Sequence, residues 1–275
     1  MGDSDSITQP GNTWRTRTTL LASIHLPPPQ ALRLRSCPEG PSARADASAA
    51  VVLFLINAGP VDLTWAKEHV AAIISAGYGG QYGGQAIADV ITGAYNPGGA
   101  LPYTLYTQAF ADRTPYDSMQ MRPNATSGSP GRTHRFLRNC TECVSWPFAY
   151  GRSYTSFRVD WARPPPPSVA VGKPAPYSLA VHNTGARMGD VVVTCFVAAL
   201  EQTAVEQPPV RQLFAFDRVE ALAAGQARQL TFTLTPESRK LTTTTGDRVD
   251  APGRFRIDCQ TADASSVTAP LVVRP

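Results

Sequence analysis

Apolar residues run unbroken from Val51 to Ile56 (Val-Val-Leu-Phe-Leu-Ile). A short apolar run rich in β-branched and aromatic residues predicts a strand buried on both faces, as in parallel sheets covered by helices. Asn57-Ala58-Gly59-Pro60 then turns the chain. Trp65 to Ile74 mixes helix formers with apolar residues, predicting a short helix followed by a second strand over 71–76. Gly77 to Gly83 is too rich in glycine for a regular element and reads as a loop. Gly84 to Thr92 places Ala86, Ile87, Val90 and Ile91 at helical spacing, and Gly93 closes it. Leu101 to Leu105 is expected to form a further strand.

The period changes beyond the four prolines 164–167, which read as a linker. Tyr177 to Val181, Gln229 to Leu234 and Phe255 to Cys259 alternate, and 190–197 is rich in strand formers. Short alternating runs with turn signals between them predict an antiparallel β-sandwich. The expected fold is α/β plus all-β: an irregular lead-in over 1–49, an incomplete α/β domain over 50–158, and a sandwich over 159–275. The lead-in is rich in Ser, Thr, Arg and Pro and has few apolar residues with which to offset the entropy of ordering.

Composition narrows the function classes. The 275 residues are 43% hydrophobic and 17% charged, with a formal net charge of +4. The arginines are scattered in short groups, whereas a nucleic-acid partner would call for a concentrated basic face. No apolar stretch approaches the ~20 residues of a membrane span. The N-terminus lacks the basic and apolar segments of a signal peptide. Two glycosylation triplets, at Asn124 and Asn139, point instead toward the secretory pathway.

Familiar catalytic patterns do not fit. Counting from Gly77, the sixth place of a dinucleotide fingerprint is Tyr82, not glycine. Gly151-Arg152-Ser153-Tyr154-Thr155 lacks the closing glycine of a nucleophile elbow. Cys140 and Cys143 have metal-ligand spacing but no second pair, so a loop disulfide or two unrelated thiols is expected rather than zinc. Cys195 and Cys259 both fall in predicted strands and either pair or stay as buried thiols, and Cys37 is the expected odd cysteine. Asp62 and Asp89 read as turn or helix-end residues. No cofactor and no metal are expected.

One ordered series of motifs does carry a family resemblance. Ala58-Gly59-Pro60-Val61-Asp62, Gly77-Tyr78-x-Gly-Gln-x-Gly-Gly and Tyr95-Asn96-Pro97-Gly98-Gly99-x-Leu101-Pro102 come first. Pro130-Gly131-Arg132-Thr133-His134-Arg135-Phe136 and the run from Trp146 to Phe157 follow. The series resembles the C-terminal α/β domain of family 3 glycoside hydrolases, nearest the β-xylosidase branch. Asn183-Thr184-Gly185 with Gly189-Asp190, and Pro252-Gly253-Arg254-Phe255, resemble the fibronectin type III-like domain that ends many of these hydrolases.

The resemblance implies an exo-acting, secreted parent enzyme that cleaves glycosidic bonds with a carboxylate pair about 5 to 5.5 Å apart. It also implies that the nucleophile belongs to a barrel domain absent from this sequence. In the resembling alignment Pro10 stands at the acid/base glutamate, and proline has no proton to transfer. Asp3 and Asp5 are the nearest carboxylates to that position. The implied partners are carbohydrate and a barrel encoded separately. The competing class is a non-catalytic carbohydrate-binding or protein-interaction module, with Trp65, Tyr78, Tyr82, Tyr116 and Trp146 as candidate sugar-stacking residues.

Overall fold

The computed structural model describes residues 51–201, 205 and 207–275. Pro10, Cys37, Asp3, Asp5 and the rest of the lead-in lie outside them. The first strand, β1 (Val52–Leu55), is followed by α1 (Thr64–His69) and β2 (Ala72–Ser75), which pairs with β1 in parallel. Parallel pairing requires a crossover, and α1 provides it. Its Ala66 and the preceding Leu63 are buried against Leu53, Leu55, Ile73 and Leu105. Both strands are only partly buried, so the expected double-sided burial of 51–56 is not found. Among the described residues this sheet has two strands and one covering helix, and both strands keep partly exposed apolar side chains.

Helix α2 (Gly83–Thr92) ends at Gly93, whose φ of 77° is left-handed, the conformation in which a glycine ends a helix without side-chain strain. The expected strand over 101–105 shrinks to β3 (Leu105–Tyr106). Pro102 cannot donate to a ladder, and Leu101 instead exchanges backbone bonds with Ala149 and Tyr150. Two short helices, α3 (Gln108–Arg113) and α4 (Thr133–Phe136), and a 3₁₀ turn at Thr141–Cys143 lead to β4 (Val144–Trp146), antiparallel to β3.

The second half begins at β5 (Phe157–Trp161), followed by β6 (Ser168–Ala170) and β7 (Ala175–Asn183). β5 already pairs with β7, and Phe157 and Val159 are buried in the main core. The four prolines therefore lie inside the sandwich, between β5 and β6, and are not an interdomain linker. The boundary expected at 158/159 cuts through β5 and belongs just before Phe157. Next come β8 (Gly189–Glu201), β9 (Gln212–Leu222), β10 (Ala227–Leu234), the short helix α5 (Pro236–Arg239), β11 (Leu241–Thr242) and β12 (Arg248–Val249). The chain ends with β13 (Gly253–Thr261) and β14 (Ser266–Arg274).

One sheet has the order β10-β7-β5 and the other β6-β14-β13-β8-β9, all antiparallel except the β6–β14 edge. Alternate residues of β7, β8 and β13, such as Leu179, Val181, Val193, Val197 and Ile257, fill the space between the sheets. Cys195 and Cys259 are directly opposite each other on β8 and β13 and form a disulfide.

Arg239 is fully buried at the end of α5. Its Nε and Nη2 bind both oxygens of Asp250 at 2.6 and 2.7 Å, and Nη1 donates to the Lys173 carbonyl at 2.7 Å. A buried guanidinium is tolerable only with such a full set of acceptors.

Candidate functional site

Two features stand out where the parallel strands meet the sandwich: an apolar cavity and a polar junction beside it. The cavity holds about 1240 Å³. Ile74 of β2, Ile87 and Val90 of α2, Leu101 and Trp146 form its apolar walls. α2 carries an apolar stripe yet buries none of its side chains, because this space beside it is open. The glycine loop bends over the cavity rim, and a Cβ on Gly79 would lie 2.8 Å from Gly83 Cα. Gly79 thus serves close backbone approach, whereas Gly77 and Gly80 supply left-handed φ values of 59° and 62°. The charged groups lining the cavity are Lys67, Arg152 and Arg218, and no described carboxylate lines it.

The junction is built on Asn96. Its Oδ1 accepts Ser153 Oγ and the Tyr154 backbone N–H, each at 2.8 Å, and its Nδ2 donates to the Met188 carbonyl at 2.9 Å. Beside it Asp190 Oδ1 accepts the Ala221 N–H at 2.8 Å, and Oδ2 accepts Arg218 Nε at 3.1 Å and Tyr95 Oη at 3.3 Å. Desolvation pushes the Asp190 carboxyl up, but the Ala221 amide and the Arg218 guanidinium outweigh it and hold the group below the usual carboxylate range. Gly98 packs so closely here that a Cβ would sit 2.5 Å from the Asp190 Cβ.

A second contact lies on the other side of the same boundary. His134 stacks on Phe148 at 4.2 Å and meets Phe196 of β8 edge-on, and Arg211 lies over Phe196 at 4.2 Å. Desolvation, helped by Arg211 and Arg135, lowers the His134 pKa to about 4.

The residues singled out in the sequence take these places. Asp62 caps the start of α1 through Thr64 N–H at 2.9 Å and reaches Gln108 N–H at 3.1 Å. Asp89 accepts from Gln85 one turn earlier. Cys140 and Cys143 form a disulfide under α3, so their sulfurs are not free ligands even though Glu142 lies close by. Trp65 stacks on His69 and Trp146 lies under Lys67, while Tyr78, Tyr82 and Tyr116 extend into solvent. Asn124 and Asn139 sit in turns of the segment between α3 and β4. The structure does not gather these residues into one catalytic cluster. The junction itself was missed in the sequence, although Tyr95-Asn96-Pro97-Gly98 and Gly189-Asp190 were both noted there as motifs. Their function as one contact needed the three-dimensional arrangement.

Residues 41–154 match the model of the glycosyl hydrolase family 3 C-terminal domain, and residues 191–262 match that of a fibronectin type III-like domain. The chain carries the family 3 C-terminal domain followed by a fibronectin type III-like domain. It is 49% identical over 117 residues to β-D-xylosidase 1 of Arabidopsis thaliana, covering 42% of this chain and 14% of that protein. A probable exo-1,4-β-xylosidase of Aspergillus clavatus is 31% identical over 236 residues, 80% of this chain and 30% of the relative. Among solved structures, a family 3 exo-β-xylosidase in complex with a xylobiose aziridine probe superposes with a TM-score of 0.70 at 28% identity. That match covers 82% of this chain and 31% of the other. A Listeria innocua β-glucosidase in complex with glucose shares the fold at a TM-score of 0.68, covering 83% of this chain and 31% of that one. The chain thus spans less than a third of the length of these relatives. Its α/β and sandwich parts meet at Asn96 and Asp190, so motifs that mark the family are also the contacts that join its domains.

Proposed function

We propose that this chain is the C-terminal portion of a β-xylosidase-like hydrolase, a scaffold that turns over no glycoside by itself. The observation that carries this reading is the cavity lining: apolar walls with three cations and no described carboxylate. Retaining glycoside hydrolysis needs two carboxyl groups, one of them protonated to serve the leaving oxygen. The described carboxyls with displaced pKa values, Asp190 and Glu237, are both held down, the wrong direction for a general acid. Pro10 at the acid/base position accords with the same reading. In this account the nucleophile comes from a barrel domain and the acid/base from the segment upstream of β1, where Pro10 stands in this chain. The substrate class proposed from the β-xylosidase relatives is the terminal β-xylosyl unit of a xylo-oligosaccharide.

The secretory pathway is the proposed compartment. Two disulfides favour an oxidising environment. Among the described residues no helix is long and apolar enough to cross a membrane.

The test is a chimera. The part of the Aspergillus clavatus relative upstream of β1 replaces residues 1–50 of this chain, and hydrolysis of an aryl β-xyloside is followed. Restored turnover in a chimera with a single thermal transition supports the reading. A folded chimera without turnover counts against it.

A second reading, non-catalytic carbohydrate binding, is favoured by Tyr78 and Tyr82, which are 72% and 77% exposed on the glycine loop at the cavity. Exposed rings stack on sugar faces at low entropic cost. Titration with xylo-oligosaccharides, with Tyr78→Ala and Tyr82→Ala as controls, separates this reading from a plain scaffold.

A further inference from the structure

The two glycosylation triplets have the same outward form but sit in chain segments with different freedom. At the first, Asn124 opens a turn closed by hydrogen bonds alone. Its backbone N–H donates to the Ser129 carbonyl at 3.0 Å, and its Oδ1 accepts the Thr126 and Ser127 N–H groups at 2.8 and 3.0 Å. Residues 125–128 are exposed. The amide Nδ2 donates to Gln120 Oε1 at 2.9 Å. Once linked to a sugar, that nitrogen keeps one hydrogen, enough for the same bond. The folded turn therefore accommodates a glycan without losing a contact.

At the second, Asn139 is exposed, whereas Asn124 is half-buried, and it has a left-handed φ of 50°. Its next two residues enter a covalent ring. Cys140 and Cys143 are bridged with their Cα atoms 5.2 Å apart, whereas three fully extended steps would span about 10 Å. The Thr141–Cys143 turn is further held by Cys143 N–H to the Cys140 carbonyl at 3.2 Å. Thr107 Oγ1 also donates to the Glu142 carbonyl at 2.6 Å. An acceptor peptide must be opened out to be read by a transferase, and the bridge prevents that at Thr141.

We propose that Asn124 carries an N-linked glycan and that the Cys140–Cys143 disulfide keeps Asn139 unmodified. In the transfer, Asn124 Nδ2 forms a bond to the anomeric carbon of an oligosaccharide donated from a polyisoprenyl diphosphate. The bond from that carbon to the diphosphate oxygen breaks, the lipid diphosphate leaves with the electron pair, and the amide gives up one proton. The inference rests on the secretory reading above. The experiment supplies the compartment, so a failure at the sites is distinct from a failure of that reading.

The chain is produced in eukaryotic cells behind a cleavable secretion leader. Tryptic peptides are deglycosylated with peptide-N-glycosidase in ¹⁸O-water and read by mass spectrometry, which marks each formerly glycosylated asparagine as labelled aspartate. Label is expected at Asn124 and absent at Asn139. Asn124→Gln should lose the whole glycan shift, and Cys143→Ser should gain a second glycan at Asn139. The intracellular pool is read as well, so the result is obtained even where the Cys143→Ser chain is not secreted. An unlabelled Asn124, a labelled Asn139 in the bridged chain, or a Cys143→Ser chain with Asn139 still bare would overturn the proposal.

Discussion

The side-chain oxygen of Asn96 accepts the backbone N–H of Tyr154 at 2.8 Å across 58 residues of sequence. With its bonds to Ser153 and Met188, it ties the loop after α2 to both the strand connection before β5 and the start of β8. Asn96→Ala removes three hydrogen bonds at once, each contributing about 0.5 to 1.5 kcal/mol. The expected loss is about 2 to 3 kcal/mol in urea unfolding, together with faster amide exchange over α2. An unchanged midpoint would show that the two parts are held together by other contacts.

Arg239 and Asp250 form a buried pair whose halves depend on each other. Removing one partner leaves an uncompensated charge, at a cost of roughly 3 to 5 kcal/mol. Asp250→Ala and Arg239→Met should each destabilise by that order, whereas the double variant should lose much less than their sum. A double-mutant cycle by chemical denaturation gives the coupling directly. Additive losses would contradict the pairing.

The two disulfides should differ sharply in what they contribute. Cys195 and Cys259 are separated by 64 residues and Cys140 and Cys143 by 3. Loop-closure entropy gives about 4 kcal/mol for the longer loop and about 1.5 for the shorter. Replacing the first pair by alanine should lower the thermal midpoint two to three times as far as replacing the second.

His134 makes stability depend on acidity. Its pKa is about 4 in the folded chain and near 6.5 when unfolded. Below pH 6.5 the unfolded chain therefore binds a proton that the folded chain refuses. Stability should fall as pH drops from 6.5 toward 4 and level off below that. The ring is partly open to solvent, so the full shift is discounted to roughly 1 to 2 kcal/mol. Unfolding midpoints at pH 7 and pH 4.5 for the parent and His134→Phe check this, since the variant should lose that part of the slope.

Much of the fold was legible because local chemistry and tertiary structure agree there. α2 was readable from the spacing of Ala86, Ile87, Val90 and Ile91 and from Gly93, and β7, β10 and β13 from their alternation. The Pro164 to Pro167 run misled because proline-rich composition looks the same in a linker and in a loop between strands. The pairing of Phe157 with Asn183 decides between them, and such pairing is not a local property. Val51 to Ile56 looked fully buried because its composition is that of a central strand, while its burial depends on what else covers the sheet. Asp190 and Asn96 lie 94 positions apart, so neither motif discloses the other as its neighbour.

The central claim is that this chain is scaffold without its own chemistry. The most direct measurement is release of 4-nitrophenol from the aryl β-xyloside by the purified chain, run beside buffer and beside an Asp3→Asn, Asp5→Asn double variant. The account predicts a rate equal to buffer for both proteins. Turnover above buffer by the parent chain would contradict it, and its loss in the double variant would assign the chemistry to Asp3 and Asp5.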